Sequence, residues 1–235
     1  MKKLSIVIPV YNEEKTLAAC VRRVLAVELP LEKELILVND GSTDRSRQEI
    51  EKIRDEFQAL VPLKVIEHPG NRGKGASLRS GFAAVQGDIV IVQDADLEYD
   101  PRDYPRLLKP ILDGRADVVY GSRFIGSEEK RVLFYWHSVG NKILTMLSNM
   151  CTNLNLTDME TCYKVFRAEV LRSFTLKSNR FGVEPELTAK IAKRKFRVYE
   201  VGISYSGRDY SEGKKITWKD GLKALFTIIR FRIAD

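Results

Sequence analysis

Short runs of branched aliphatic residues alternate with longer amphipathic stretches along this chain, and that alternation restricts the fold more than any other feature. "LSIVIPV" (4–10), "ELILVND" (34–40), "LKVIEH" (63–68), "DIVIVQD" (88–94) and "ADVVYGS" (116–122) read as buried strands. Between them the spacing predicts helices: one from Glu13 to about Val27, one over "STDRSRQEIEKIRDEF" capped by Ser42 or Thr43, and one over "KGASLRSGFAAVQG" ending at Gly87. A further helix follows Pro101. Strands separated by helices of this length imply right-handed crossovers and an α/β fold with a mostly parallel sheet, Rossmann-like in its N-terminal half. In such sheets ligands bind beyond the carboxyl ends of the strands.

The polar clusters "PVYNEE", "NDGSTD", "HPGNRGKG" and "DADLEYD" each follow a strand at that end, so they are expected to meet in one crevice. The last is the most telling. In "IVIVQDADLEYDP", Asp94, Asp96 and Glu98 come straight after a core strand with no base among them. Like charges so close repel unless a cation sits between them. Oxygen ligands of this kind suit Mg²⁺ or Mn²⁺, which bind through a few carboxylates plus substrate phosphates. A bare D-x-D also occurs by chance, "NDGS" serves equally as a turn, and "GNRGKG" as a plain loop. Neither the G-x-x-x-x-G-K-[ST] phosphate loop nor a G-x-G-x-x-G dinucleotide fingerprint is present.

Charge and cysteine usage bound the setting. The net charge is +7, and residues 190–235 carry twelve Lys/Arg against five Asp/Glu, so the last fifth of the chain holds the whole excess. That points to an anionic partner or to a solvated face. Cys20, Cys151 and Cys162 are odd in number and form no C-x-x-C pair, which argues for a reducing, cytoplasmic setting without disulfides or zinc. The N-terminal apolar run is too short for a signal peptide, and no run reaches the roughly 18 apolar residues of a membrane span.

"SIVIPVYNEE", "LVNDGSTD", "NRGKGASLRSGF", "QDADLEYDP" and "YGSRF", in this order, resemble the family 2 glycosyltransferases with the nucleotide-sugar-binding GT-A fold. "TDMETCYKVFR" and "GRDYSEGKKI" are similar to the branch of dolichol-phosphate mannose synthase and the polyprenyl-phosphate glycosyltransferases. The resemblance implies one GT-A catalytic domain over 1–235. Residues 1–123 form its nucleotide-sugar-binding half, 124–213 its acceptor-binding half and 214–235 a basic amphipathic C-terminal helix. It implies that Pro9, Tyr11 and Glu13 line the nucleotide pocket, that Asp40 bonds the base and that Lys74 lies near the nucleotide. Asp94 then faces the ribose or donor sugar, and Asp96 and Glu98 hold the metal. Asn39 departs from the usual aspartate before "DGS", which bears on base preference.

The acceptor implied is a polyprenyl or dolichyl phosphate, and the donor GDP-mannose, with UDP-glucose or a UDP-N-acetylhexosamine as alternatives. An ionised lipid phosphate needs no strong base, so the requirement is neutralisation of two anions during an inverting displacement. Arg123, Lys164, Arg208 and Lys214 are the expected partners of the acceptor phosphate and leaving group. If the acceptor is instead a sugar hydroxyl, Asp158 or Glu160 is the base. A metal-dependent nucleotidyltransferase or nucleotide-binding regulator is the alternative outside glycosyl transfer, and no nucleic-acid motif accompanies the basic residues.

In the stretch 131–154, Val132, Trp136, Val139, Ile143, Met146, Leu147 and Met150 recur at helical spacing, which suits core packing for half of that surface and a membrane interface for the rest. Near the C-terminus Trp218, Leu222, Leu225 and Ile229 oppose Lys215, Lys219, Lys223 and Arg230. Such a helix suits an anionic membrane surface, so a peripheral location at the cytoplasmic face is expected.

Overall fold

The computed structural model describes residues 2–126, 131–132, 134–208 and 218–233, and within 218–233 it leaves the side chains of 218–220 and 222 undescribed. Among the described residues seven strands make one sheet: β1 Lys3–Val10, β2 Glu32–Asn39, β3 Leu63–Glu67, β4 Ile89–Val92, β5 Val118–Ser122, β6 Lys164–Arg167 and β7 Val198–Gly202. Their spatial order is β3-β2-β1-β4-β6-β5-β7. β1 pairs in parallel with β2 and β4, β2 with β3, and β5 with β7, while β6 runs antiparallel between β4 and β5. The central strands bury both faces: Ile6, Val7, Ile8, Leu35, Ile36, Leu37, Val90 and Ile91 are all excluded from solvent. That is why they read as unbroken aliphatic runs rather than alternating ones.

Helices α1 Leu17–Ala26, α2 Ser46–Phe57, α3 Lys74–Ala83 and α4 Tyr104–Leu112 supply the crossovers of the N-terminal half. The second half adds α5 Tyr135–Thr152, α6 Ala168–Arg172, α7 Val183–Lys193 and α8 Trp218–Ile233. α5, α7 and α8 pack on one another. None of the described helices is long and apolar enough to cross a membrane.

Two local expectations need correction and a third needs detail. α2 starts at Ser46, so Ser42 and Thr43 do not cap it. Their loop is instead stitched to the loop after β1: the Thr43 N–H donates to Asn12 Oδ1 at 2.8 Å and the Asn12 N–H to Ser42 Oγ at 3.1 Å. Gly87 lies beyond the end of α3, where a Cβ would meet Ser5 Oγ at 2.6 Å, so close packing rather than helix termination requires it. On α5 the buried positions are Thr145 and Ser148, whereas Trp136, Ile143, Met146 and Met150 of the apolar stripe are exposed. Leu147 of the stripe packs against the core beside these small polar side chains, while the other half of the stripe points outward.

The reversed direction of β6 brings a distant segment to the ligand-binding edge. Its first residue, Lys164, sits opposite Tyr120 near the carboxyl end of β5. The segment before it, 157–163, thus joins the loops that leave β1, β2, β4, β5 and β7 at one edge of the sheet. Pro9 fits within β1 because β4 ends opposite Val7, two residues earlier.

Gly41 has φ +65, and a Cβ there would collide with the Gly70 backbone. Gly41→Ala is expected to lower unfolding free energy by at least about 1 kcal/mol. Gly140, in α5 with open space around it, should gain about 0.4–1 kcal/mol as Gly140→Ala. Urea unfolding of the two variants checks both signs.

Candidate active site

The strand-end loops gather three zones of residues at one edge of the sheet. The first is a cleft of about 620 Å³ lined by, among others, Tyr11, Asn39, Gly41, Glu67, His68 and Asn71. Tyr11 lies in this lining, as expected for a nucleotide pocket; the half-buried Pro9 sits two residues before it on β1. Asp40 has a different position from the expected base contact. It is 3% exposed, and its carboxylate accepts from the Arg72 N–H at 3.0 Å, the Gly73 N–H at 2.7 Å and His68 Nδ1 at 2.7 Å. His68 Nε2 in turn meets Ser80 Oγ at 2.9 Å. Asp40 therefore shapes the "GNRGKG" loop and the start of α3 from within. Asn39 donates to Glu67 Oε2 at 2.8 Å and accepts from the Ser42 N–H, so the residue that departs from the family pattern braces the rim of the cleft.

The second zone holds the acidic trio. Lys74, the first residue of α3, reaches Asp94 at 3.0 Å and Glu184 at 3.5 Å. Burial alone would lower the Lys74 pKa, but Asp94, Cys162 and Glu184 around it raise it well above its ordinary value. Asp96 and Glu98 flank a turn in which Leu97 adopts φ +65, a left-handed conformation unusual for a branched side chain. Arg208 lies across these carboxylates, 2.9 Å from Asp96, 3.3 Å from Glu98 and 3.5 Å from Glu13. Tyr205 donates to Glu98 at 2.8 Å. Burial, with Asp94 and Glu98 close by, pushes Asp96 up to about 7 despite Arg208.

The third zone is built on "TDMET" and α7. Arg123 forks onto Asp158 with two contacts of 2.7 Å, and Asn141 donates to the same carboxylate at 3.1 Å. Asp158 is fully buried and both its oxygens are engaged, so it is not disposed to take a proton from a hydroxyl; it fixes Arg123. Lys164 is 1% exposed, bound to Glu184 and the Thr161 carbonyl, with its ammonium 5.0 Å from the centre of the Tyr120 ring. It is a buried brace and not a surface cation for an acceptor phosphate. Arg208 likewise faces carboxylates. Lys214 lies outside the described residues, as do Lys215 and the side chains of Trp218, Lys219 and Leu222.

Sequence reading missed Asn12, Glu184 and His68. Asn12, at φ +55, joins two loops. Glu184 links Lys74 to Lys164. Asn12 had a local signal in the Y-N-E turn; Glu184 had none, because its partners lie 20 residues or more away in sequence.

Asp96 and Glu98 provide only oxygen donors and carry surplus negative charge, which fits Mg²⁺ or Mn²⁺. Among the described residues no group of three or more His, Cys, Asp or Glu is arranged to hold a metal ion. Two carboxylates with the remaining positions left to phosphate and water match the habits of such ions. Arg208→Ala should remove the counter-charge of three acids and cost about 1–3 kcal/mol. Thermal melts test this: the loss should shrink in millimolar Mn²⁺, and a melt indifferent to both changes counts against the pairing.

Three comparisons place this geometry among known proteins. The model of "Glycosyl transferase family 2" matches residues 5–175. The undecaprenyl-phosphate 4-deoxy-4-formamido-L-arabinose transferase of Photorhabdus laumondii is 28% identical over 216 residues, covering 91% of this chain and 63% of that one. Its counterpart from Serratia proteamaculans is 29% identical with the same coverage. The chain thus spans less than two thirds of the length of these relatives. Glucosyl-3-phosphoglycerate synthase of Mycobacterium tuberculosis, solved with Mn²⁺, UDP and phosphoglyceric acid, superposes with a TM-score of 0.74 at 22% identity, over 98% of this chain and 78% of that one. That likeness concerns the fold, which is the GT-A architecture expected from the sequence. With the family model covering most of its length, the chain belongs to glycosyl transferase family 2.

Proposed function

We propose that this chain is the catalytic part of a polyprenyl-phosphate glycosyltransferase, moving a sugar from a nucleoside diphosphate donor to a lipid phosphate with inversion. The observation that carries the reading is one edge of the sheet that gathers a nucleotide-sized cleft, an acidic pair fit for a divalent ion, and the guanidinium groups of Arg123, next to Tyr205, and Arg208, next to Glu98. The relatives' names supply the acceptor class, undecaprenyl phosphate.

In this reading residues 1–123 bind the donor, with the base against Tyr11 and the diphosphate toward Asp96, Glu98 and Lys74. A Mg²⁺ or Mn²⁺ ion at Asp96 and Glu98 supplies positive charge for the departing diphosphate. Arg208 moves off those carboxylates and becomes available to the same phosphates. Residues 124–213 bind the acceptor, with Arg123 oriented by the Asp158 fork. Asp158 acts through Arg123, which favours an acceptor that is already ionised over a hydroxyl needing a base.

The mannose expected from the sequence is the finer part of the reading. The relatives' names carry 4-deoxy-4-formamido-L-arabinose instead, and several structural neighbours were solved with UDP or UDP-glucose, which favours a uridine nucleotide over GDP-mannose. A panel of labelled GDP-mannose, UDP-glucose, UDP-N-acetylglucosamine and nucleotide-linked 4-deoxy-4-formamido-L-arabinose, incubated with undecaprenyl phosphate and Mg²⁺ or Mn²⁺, tests donor and acceptor together. Label should enter the organic phase with one donor and be lost in EDTA or on Asp96→Ala. Organic-phase label that persists in EDTA overturns the metal reading, and none with any donor overturns the acceptor.

The membrane is the third proposed partner. Trp136, Ile143, Met146 and Met150 on α5 and Phe226, Ile229 and Ile233 on α8 are exposed on helices that pack together, with Lys142, Arg230 and Arg232 exposed nearby. Apolar side chains among bases suit the interface of an anionic bilayer. Trp136→Asp with Ile229→Asp should leave the melt nearly unchanged and abolish sedimentation with anionic vesicles. Salt should weaken wild-type binding, each nearby base contributing about 1 kcal/mol. Equal sedimentation of the two proteins refutes the surface.

A further inference from the structure

Glu160 is a half-buried acid, its Oε1 fully covered, with no part in the proposed transfer. Its Oε1 has no hydrogen-bond partner, and neither does Oγ1 of the adjacent Thr161, although the residue as a whole retains partial access to solvent. An orphaned carboxylate oxygen is costly in a folded protein and calls for an explanation.

The groups around it supply one. Asp158 precedes it in the same loop and is matched by Arg123. Glu184 of α7 faces it and is shared by Lys164 of β6 and Lys74 of α3, and Lys74 also serves Asp94. Four carboxylates (Asp94, Asp158, Glu160 and Glu184) thus meet three cations, Lys74, Lys164 and Arg123. Glu200 of β7, which accepts the N–H groups of Thr157 and Asp158, adds a further acid and no cation. Every other acid of the four has a cation within 3.5 Å; Glu160 is the one left over, and a proton on it reduces the surplus negative charge of the group. Burial and then Glu184 push its pKa up to about 7, against the pull of Lys164 and Arg123.

We propose that Glu160 works as a neutral carboxylic acid that donates a hydrogen bond to a phosphate oxygen of the acceptor. This rests on a lipid phosphate being the acceptor and assigns Glu160 a binding role opposite to that of a general base. No bond to the proton is broken: the acid keeps it, and the anionic oxygen it touches is held near Arg123. An arriving phosphate adds negative charge beside Glu160 and so favours the protonated form further. When Glu160 ionises at higher pH, the donor is lost and like charges face each other.

The test compares wild type, Glu160→Gln and Glu160→Ala, with melts confirming intact folding. Glutamine keeps a neutral donor at all pH. The KM of wild type for undecaprenyl phosphate should rise about 10-fold or more between roughly pH 6 and 8.5, the loss expected for a hydrogen bond to a charged group. For Glu160→Gln the KM should stay near the low-pH wild-type value, with only the change due to the acceptor's own second ionisation near pH 6. Glu160→Ala should be weak throughout. A dead but folded Glu160→Gln overturns the proposal, since it makes the carboxylate indispensable, and so does a Glu160→Gln that keeps the wild-type pH dependence. The infrared difference between wild type and Glu160→Gln near pH 6 should contain the carbonyl stretch of a protonated carboxyl. If wild type shows that band yet transfers nothing to lipid phosphate, the acceptor reading has failed and not the protonation state; absence of the band overturns the proposal directly.

Discussion

Lys74 joins two parts of the molecule that are far apart in sequence. Its ammonium takes Asp94 from the end of β4 and Glu184 from the first turn of α7. The N-terminus of α7 favours the Glu184 carboxylate, and the position of Lys74 at the start of α3 is itself fixed by Asp40, whose oxygens hold Arg72 and Gly73. Gly73, at φ +96, lies where a Cβ would meet the Asn179 carbonyl at 2.5 Å, so the chain before α3 is pressed against the loop before α7. A charge buried this far is stable only while its partners stay, and removing either would leave the other without compensation. This edge of the sheet is held together by ion pairs of this kind. Glu184 passes the constraint on to Lys164, which anchors the reversed strand and the "TDMET" segment before it.

The parts of this arrangement that were legible in the sequence are those set by local pattern. Aliphatic runs marked the N-terminal strands to within about two residues, because a strand buried on both faces has little freedom in composition. The acidic trio was legible because charges at the end of a core strand have no packing reason to be there. Pairing across the chain was not legible. Arg208 stands 112 residues from Asp96, and nothing local distinguishes an arginine that will face carboxylates from one that will face a phosphate. Lys164 misled for a related reason: in "CYKVFR" it looks like an exposed base between apolar residues, yet β6 lies between two strands and α7 covers that face. Asp158 was readable as a base until Arg123 and Asn141 were seen on its two oxygens.

α5 divides as its two-sided pattern suggested. Helical spacing of apolar residues gave half of that stripe to the core, and Leu147 does pack against it while Trp136, Ile143, Met146 and Met150 are exposed. What the spacing did not show is that the fully buried positions are Thr145 and Ser148, where Met159 donates its N–H to Thr145 Oγ1 at 3.1 Å. Periodicity reports that a helix has two faces; which of them meets protein depends on what the neighbouring helices offer. α7 and α8 meet α5 at Ser148, Cys151 and Thr152 with Pro185, Ala189, Ile228 and Phe231, and the larger Trp136, Ile143, Met146 and Met150 are left outside.

The charges at this edge of the sheet also bear on the proposed anionic substrates. Lys74, Lys164, Arg123 and Arg208 are each engaged by protein carboxylates. Two anions brought into such a site therefore compete with internal ion pairs, and binding them requires additional positive charge, released cations or protonated acids. Arg208 is the most exposed of the four by a small margin, and its partners include the two acids that a divalent ion would neutralise in its place. Lys164 is the least free, being buried on all sides. A divalent ion taking the place of Arg208 on Asp96 and Glu98 would supply two charges and free a third at once. In the proposed reading the donor side thus gains the mobile positive charge, while the acceptor side, with Arg123 already locked to Asp158, meets its ligand with a fixed cation and the neighbouring Glu160.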